Sequence, residues 1–150
     1  MSWIQSLFQS PVFQTIIAGV FVFIISQYIL RFAIEPLQEY KRVIAIIDNK
    51  LKFYSNVIVN PPFEGQPLSK DHFAAKRYLR ELSCELEASY KVLPFKKHRS
   101  DKESVSKAAV GLIWLSNTTG RRDKTGTVNV PLLASDKIRE VRSNLKIPEL

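Results

Sequence analysis

No lysine, arginine, aspartate or glutamate precedes Arg31 in this 150-residue chain. A cleavable secretory leader needs basic residues ahead of its apolar run and a small-x-small site behind it. Here the run is followed by Tyr28-Ile-Leu-Arg-Phe32, so cleavage is not expected. Cysteine occurs once, at Cys84, which excludes an internal disulfide and suits a reducing compartment. Glycine occurs five times, with no Gly-x-Gly-x-x-Gly and no Gly-Lys-Ser/Thr, which argues against a phosphate cradle of either type. Strand signals are sparse; Thr127-Val-Asn-Val130 is the best of them.

The uncharged opening is apolar at every position from Ile16 to Ile25, so it has no wet face such as a soluble amphipathic helix would show. Val12 to Leu30 is 19 residues; at ~1.5 Å per residue a helix of that length spans about 28 Å, close to the hydrocarbon thickness of a bilayer. The reading is an uncleaved transmembrane anchor, with Ile16, Gly19, Val22 and Ile25 in its lipid-embedded stretch and Trp3 and Tyr28 as interfacial flanks. Arg31, Lys41, Arg42, Lys50 and Lys52 follow it closely and nothing basic precedes it. That asymmetry puts the C-terminal part in the cytoplasm and the N-terminus outside. There, Trp3, Ile4, Leu7 and Phe8 have the spacing of an interfacial segment. Thr15 and Gly19 form one small-xxx-small pair, more commonly lipid-facing than a contact between helices.

The rest is basic, 22 Lys+Arg against 14 Asp+Glu over the chain, and reads as all-α: a cytoplasmic bundle of about four helices over residues 36–150, hung from an anchor over 1–35. Proline restricts the residue before it, so a break or kink is expected at Glu35-Pro36. Beyond it, Leu37, Tyr40, Ile44, Ile47, Leu51, Tyr54 and Ile58 recur at alternating 3 and 4, a seam widened by Val43, Ile46, Phe53 and Val57. A stripe that wide favours bundle packing over an isolated two-stranded coil. Leu37, Tyr40, Ile44, Ile47, Leu51 and Tyr54 form the candidate partner face. Asn60 to Pro67 is a loop by composition. Ser69 can cap a third segment carrying Ala75, Leu79, Leu82, Leu86, Tyr90 and Leu93, which Pro94 ends. Ser100-Asp-Lys-Glu103 is a capping box for a helix with Val105, Ala109, Leu112, Ile113 and Leu115, and Gly120 suits a left-handed cap. Arg121 to Thr127 reads as a polar, mobile connection. Ala134, Ile138, Val141 and Leu145 mark a last helix within 131–146.

Ile34-Glu-Pro-Leu-Gln-Glu39 after an anchor, then Leu79-Arg-Glu-Leu-Ser83, Val92-Leu-Pro-Phe95 and Ala109-Val-Gly-Leu-Ile-Trp-Leu-Ser-Asn117 resemble, in that order, a group of small bacterial single-pass membrane proteins. The resemblance implies an inner-membrane protein with a cytoplasmic helical domain. It implies no activity and no site residue.

Residues that carry chemistry are few. His72 and His98 have no zinc-like set of Cys, His, Asp or Glu around them and read as solvated side chains. Cys84, beside Leu82 and Leu86, reads as a small buried hydrophobe. Glu81 and Glu85 read as part of a solvated charge pattern. No catalytic residue, metal, cofactor or small-molecule substrate is expected, and the chain does not read as an enzyme. The basic clusters at Lys96, Lys97, Arg99 and at Arg121, Arg122 are candidate lipid-headgroup contacts; nucleic acid is disfavoured because only Phe95 interleaves them. The reading is a membrane-anchored interaction or scaffold protein that self-associates or binds a protein partner. The alternative is a membrane-acting effector, of toxin or phage-defence type, that assembles and perturbs the bilayer.

Overall fold

Helix α1 (Pro11–Ile29) opens with proline at its first position, where a missing N–H costs nothing, after an extended Ser10. The computed structural model to which it belongs describes residues 10–60, 62, 67–94, 99–121 and 130–147, residues 99, 100 and 130 by backbone alone. No residue of α1 is buried. Two of its hydroxyls bond within the helix: Thr15 donates to the Pro11 carbonyl at 2.9 Å, and Ser26 to Val22 at 2.7 Å. Helical structure runs on unbroken from Pro11 to Phe53, 43 residues long, and its apolar part is long enough to cross a membrane.

The break expected at Glu35-Pro36 is absent. Residues Leu30–Ile34 form one π-helical turn that leads directly into α2 (Glu35–Phe53). Glu35 itself is helical, at φ −58° and ψ −49°. Proline in a helix has no N–H for the carbonyl four residues back, and its ring collides with that carbonyl. The wider π turn, in which the Glu35 N–H reaches the Leu30 carbonyl, relieves that conflict without ending the helix.

The seam of α2 continues past an irregular Tyr54 (φ −95°, ψ 7°) into the short α3 (Ser55–Val59). Then come α4 (Lys70–Val92), α5 (Arg99–Thr118) and α6 (Val130–Asn144). Among the described residues there is no strand. Neighbouring helices run antiparallel. Tyr40 meets Tyr90 at 5.9 Å between ring centroids while Tyr54 meets Tyr78 at 6.0 Å. The Ser83 hydroxyl donates to the Ala109 carbonyl and that of Ser116 to Lys76. Lys137 lies over the Trp114 ring, and Gly111 faces Val141. The result is an up-down-up-down bundle around Val43, Ile47, Leu51, Leu79, Leu86, Leu112, Leu115 and Val141, each at most 1% exposed. Full burial of such a side chain contributes about 1.5–3 kcal/mol.

Two local devices set the close approaches. A Cβ on Gly111 would lie 2.5 Å from Val141 Cγ2, so α6 can pack against α5 there only because the side chain is missing. Gly120, at φ +70°, ends α5 in the left-handed conformation read from the sequence. Ser69 occupies the N-cap of α4, but its hydroxyl bonds the His72 ring at 2.7 Å instead of a backbone amide. Leu93 is extended ahead of Pro94, which is where α4 ends. Helix α5 starts at Arg99, one residue before the capping serine; the Ser100 side chain, the interfacial segment at Trp3 to Phe8, His98, the strand candidate at residues 127–129, most of the 60–67 loop and residues 122–127 lie outside the described residues.

Candidate functional site

The antiparallel order brings the start of α2, the end of α4, the start of α5 and the end of α6 together, at the end of the bundle where α1 enters. A cavity of about 250 Å³ lies among them. Leu37, Tyr40 and Ile44 wall it from α2, Tyr90 and Leu93 from α4 and just beyond it, Val105 from α5, and Leu145 from the end of α6. Asp101, Ser104, Asn144 and Lys146 supply its polar edge. Lys146 Nζ and Asp101 Oδ1 are 3.5 Å apart across the rim. Lys146 itself takes φ +55° as the C′ residue of α6, where Ile147 N–H closes back on the Arg142 carbonyl at 2.9 Å. Tyr40 is half-buried here. Its burial, then the nearby Tyr90 and Asp101, raise its phenol above the ordinary tyrosine pKa.

The candidate partner face is largely consumed by the bundle. Ile47, Leu51 and Tyr54 are buried in the core, and Tyr40 and Ile44 pack against it. Leu37 alone of the six remains substantially exposed, at 45%. The seam is wide because α2 is covered by more than one neighbour; it is no spare surface. Other apolar residues stay exposed on the bundle, among them Phe53 on α2, Phe73 and Val92 on α4, Val110 and Ile113 one turn apart on α5, and Leu132 and Leu133 on α6. Ile16, Gly19, Val22 and Ile25 all lie on α1, with Ile16, Val22 and Ile25 more than half exposed and open space around Gly19.

Of the basic candidates, Lys96, Lys97, Arg122 and the Arg99 side chain lie outside the described residues, although α5 opens at Arg99 at the end where α1 enters. Arg121 is exposed, but it follows α5 at the opposite end, about 30 Å away along the helix. Headgroup attraction fades within a Debye length of ~8–10 Å, so Arg121 does not belong with a lipid-contacting surface at the α1 end.

Two further readings are corrected. Cys84 is exposed, not buried, because Ser83 faces α5 and the next residue is turned about 100° further round the helix. It lies on an open, shallow surface with Arg80, Glu81 and Glu85; Glu81 pairs with Arg77 at 3.6 Å. His72 is buried, only 8% exposed, under Leu68 and Gly120. Its Nδ1 meets Ser69, while Nε2 is buried without a hydrogen-bond partner.

Arg80 is a joint the sequence pattern did not suggest. Its Nε donates to Ser116 Oγ at 3.1 Å and its Nη2 to Asn117 Oδ1 at 2.7 Å. Asn117 is thus a tie between α4 and α5. The cavity's polar edge was also missed. Drawing the short-linked helices antiparallel would have gathered Asp101, Asn144 and Lys146 at one end.

Among the described residues no group of His, Cys, Asp and Glu could hold a metal ion. Comparison with protein-family models, curated proteins and solved structures finds no match to this chain.

Proposed function

We propose that the chain is a single-pass protein of a bacterial inner membrane, with α1 as its span and the bundle in the cytoplasm as a module that holds a protein partner or a second copy. The observation that carries this reading is an apolar helix with no covered face, continuous with a bundle that has a complete core of its own. An isolated soluble helix of that composition would have nothing to bury against. The excess of Lys and Arg just after the apolar run supports the cytoplasmic side. Exposed Val110 and Ile113 offer an apolar contact of the kind partners cover.

A photo-crosslinking amino acid at Val110 in the full chain, expressed in bacterial cells, tests the partner half. A discrete adduct, of twice the chain's mass or of one fixed larger species, supports it. Crosslinks to lipid alone, with loss of membrane potential on expression, would instead favour the membrane-acting effector.

A further inference from the structure

We infer that the cavity at the α1 end of the bundle is a lipid site that takes one acyl chain of an anionic phospholipid from the facing leaflet; this rests on α1 being the membrane span.

Position comes first. Leu37 is one residue past Pro36, on the same unbroken helix as the apolar run. If the hydrocarbon boundary falls near Arg31, the first charge, Leu37 and Tyr40 lie about 9–14 Å further along the helix, at the level of the headgroups and just beyond them. The cavity is therefore the part of the bundle nearest to lipid. Leu37, which lines the cavity on that side, is bulky, apolar and 45% exposed. Water gains nothing there, whereas an acyl chain entering the cavity covers it.

Size and charge then select the occupant. About 250 Å³ is below the ~300–1,000 Å³ of pockets that enclose drug-sized molecules, which suits a slim chain and not a whole cofactor. Its lining includes Ile44, Tyr90, Val105 and Leu145, apolar or aromatic residues from α2, α4, α5 and the turn that follows α6. Lys146 stands on the rim, 81% exposed at its side chain, within reach of a phosphate at the mouth. On the other side of Tyr90 and Val105, a second hollow of about 320 Å³ carries Lys91 and Lys102. Lys146 has Asp101 beside it and Lys91 has Glu87, so the two hollows together carry three lysines against two carboxylates; that surplus of positive charge beside apolar depth matches an anionic amphiphile.

The test uses the full chain in sealed vesicles of phosphatidylethanolamine and phosphatidylglycerol, the latter with a diazirine at the end of one acyl chain. After illumination and digestion, adducts are mapped by mass spectrometry. Adducts are expected on α1 and on peptides containing Leu93, Val105 or Leu145. Ser104→Trp fills the cavity and should abolish the second set while leaving α1 labelling unchanged. Lys146→Glu leaves the packing alone and should cut cavity labelling by about fivefold or more, since each basic group near an anionic surface carries a factor of that order. Labelling of α1 without the cavity, or cavity labelling that neither variant reduces, overturns the inference and leaves the span intact. No labelling of α1 overturns the membrane reading itself.

Discussion

The Glu35 N–H donates to the carbonyl of Leu30, five residues back, and so carries a helix through Pro36. The bundle is consequently an extension of the apolar helix, with no flexible joint between them among the described residues. That single turn fixes which end of the bundle stands next to α1.

Replacing Pro36 with alanine restores an amide where the turn now does without one. Proline inside a regular helix costs ~3 kcal/mol relative to alanine, but the π turn has already relieved most of the conflict, so the gain should stay near 1 kcal/mol or less. Amide hydrogen exchange over residues 31–37 should slow in Pro36→Ala. Unchanged or faster exchange would mean that the π turn has another cause.

Asp48 ties α2 to α6. Its carboxylate lies 3.4 Å from Arg142 and 2.7 Å from Lys52, with both members of the Asp48–Arg142 pair at most 20% exposed. Removing the carboxylate takes one charged partner from a guanidinium that is only 17% exposed. Asp48→Ala should cost about 1–3 kcal/mol in denaturant unfolding. Arg142→Met should cost less, because Lys52 still faces Asp48. Equal losses from the two variants would contradict this asymmetry.

Much of this architecture was legible in the sequence, for a physical reason: periodicity reports burial directly. The apolar positions of α4, Ala75, Leu79, Leu82, Leu86 and Tyr90, are all buried as their spacing implies. What failed depended on neighbours that no local pattern reveals. His72 is buried because Gly120 and Leu68 close over it from distant positions. The rule for residues preceding proline lost to a π turn, which has no sequence signature. Ser83 rather than Cys84 faces α5 because one step round a helix decides the contact. The seam of α2 was seen correctly as a wide apolar stripe, yet its use as a partner face could not be separated from its use as core until its neighbours were in place.

Gly111 marks where α5 and α6 touch most closely. Gly111→Ala should lower stability by about 1–2 kcal/mol, since a strain of ~1–3 kcal/mol from overpacking outweighs the gain in helix propensity. Adding Val141→Ala removes the atom it strikes. The double variant should therefore lose less than the sum of the two single variants, by thermal or urea unfolding; strict additivity would refute the close contact.

Tyr40 gives a pH signature. Its pKa is raised on folding, chiefly by burial and then by Tyr90 and Asp101. The neutral phenol is thus the form favoured by the fold. Its contribution is complete below the unfolded tyrosine pKa of ~10 and is lost as pH rises through the higher folded value. Thermal midpoints of the wild type should fall over that interval more steeply than those of Tyr40→Phe. Parallel curves would place the phenol in an ordinary aqueous setting.

Cys84 permits the most direct test of the central claim, that α1 spans the membrane and the bundle is cytoplasmic. It is the only cysteine in the chain and it is exposed. Spheroplasts expressing the full chain are treated with a membrane-impermeant maleimide before and after permeabilisation, and their membranes are then washed with alkaline carbonate. Cys84 should stay unlabelled in intact spheroplasts and react fully after permeabilisation, with the protein retained in the membrane pellet. Labelling in intact spheroplasts, or release by carbonate, would contradict it.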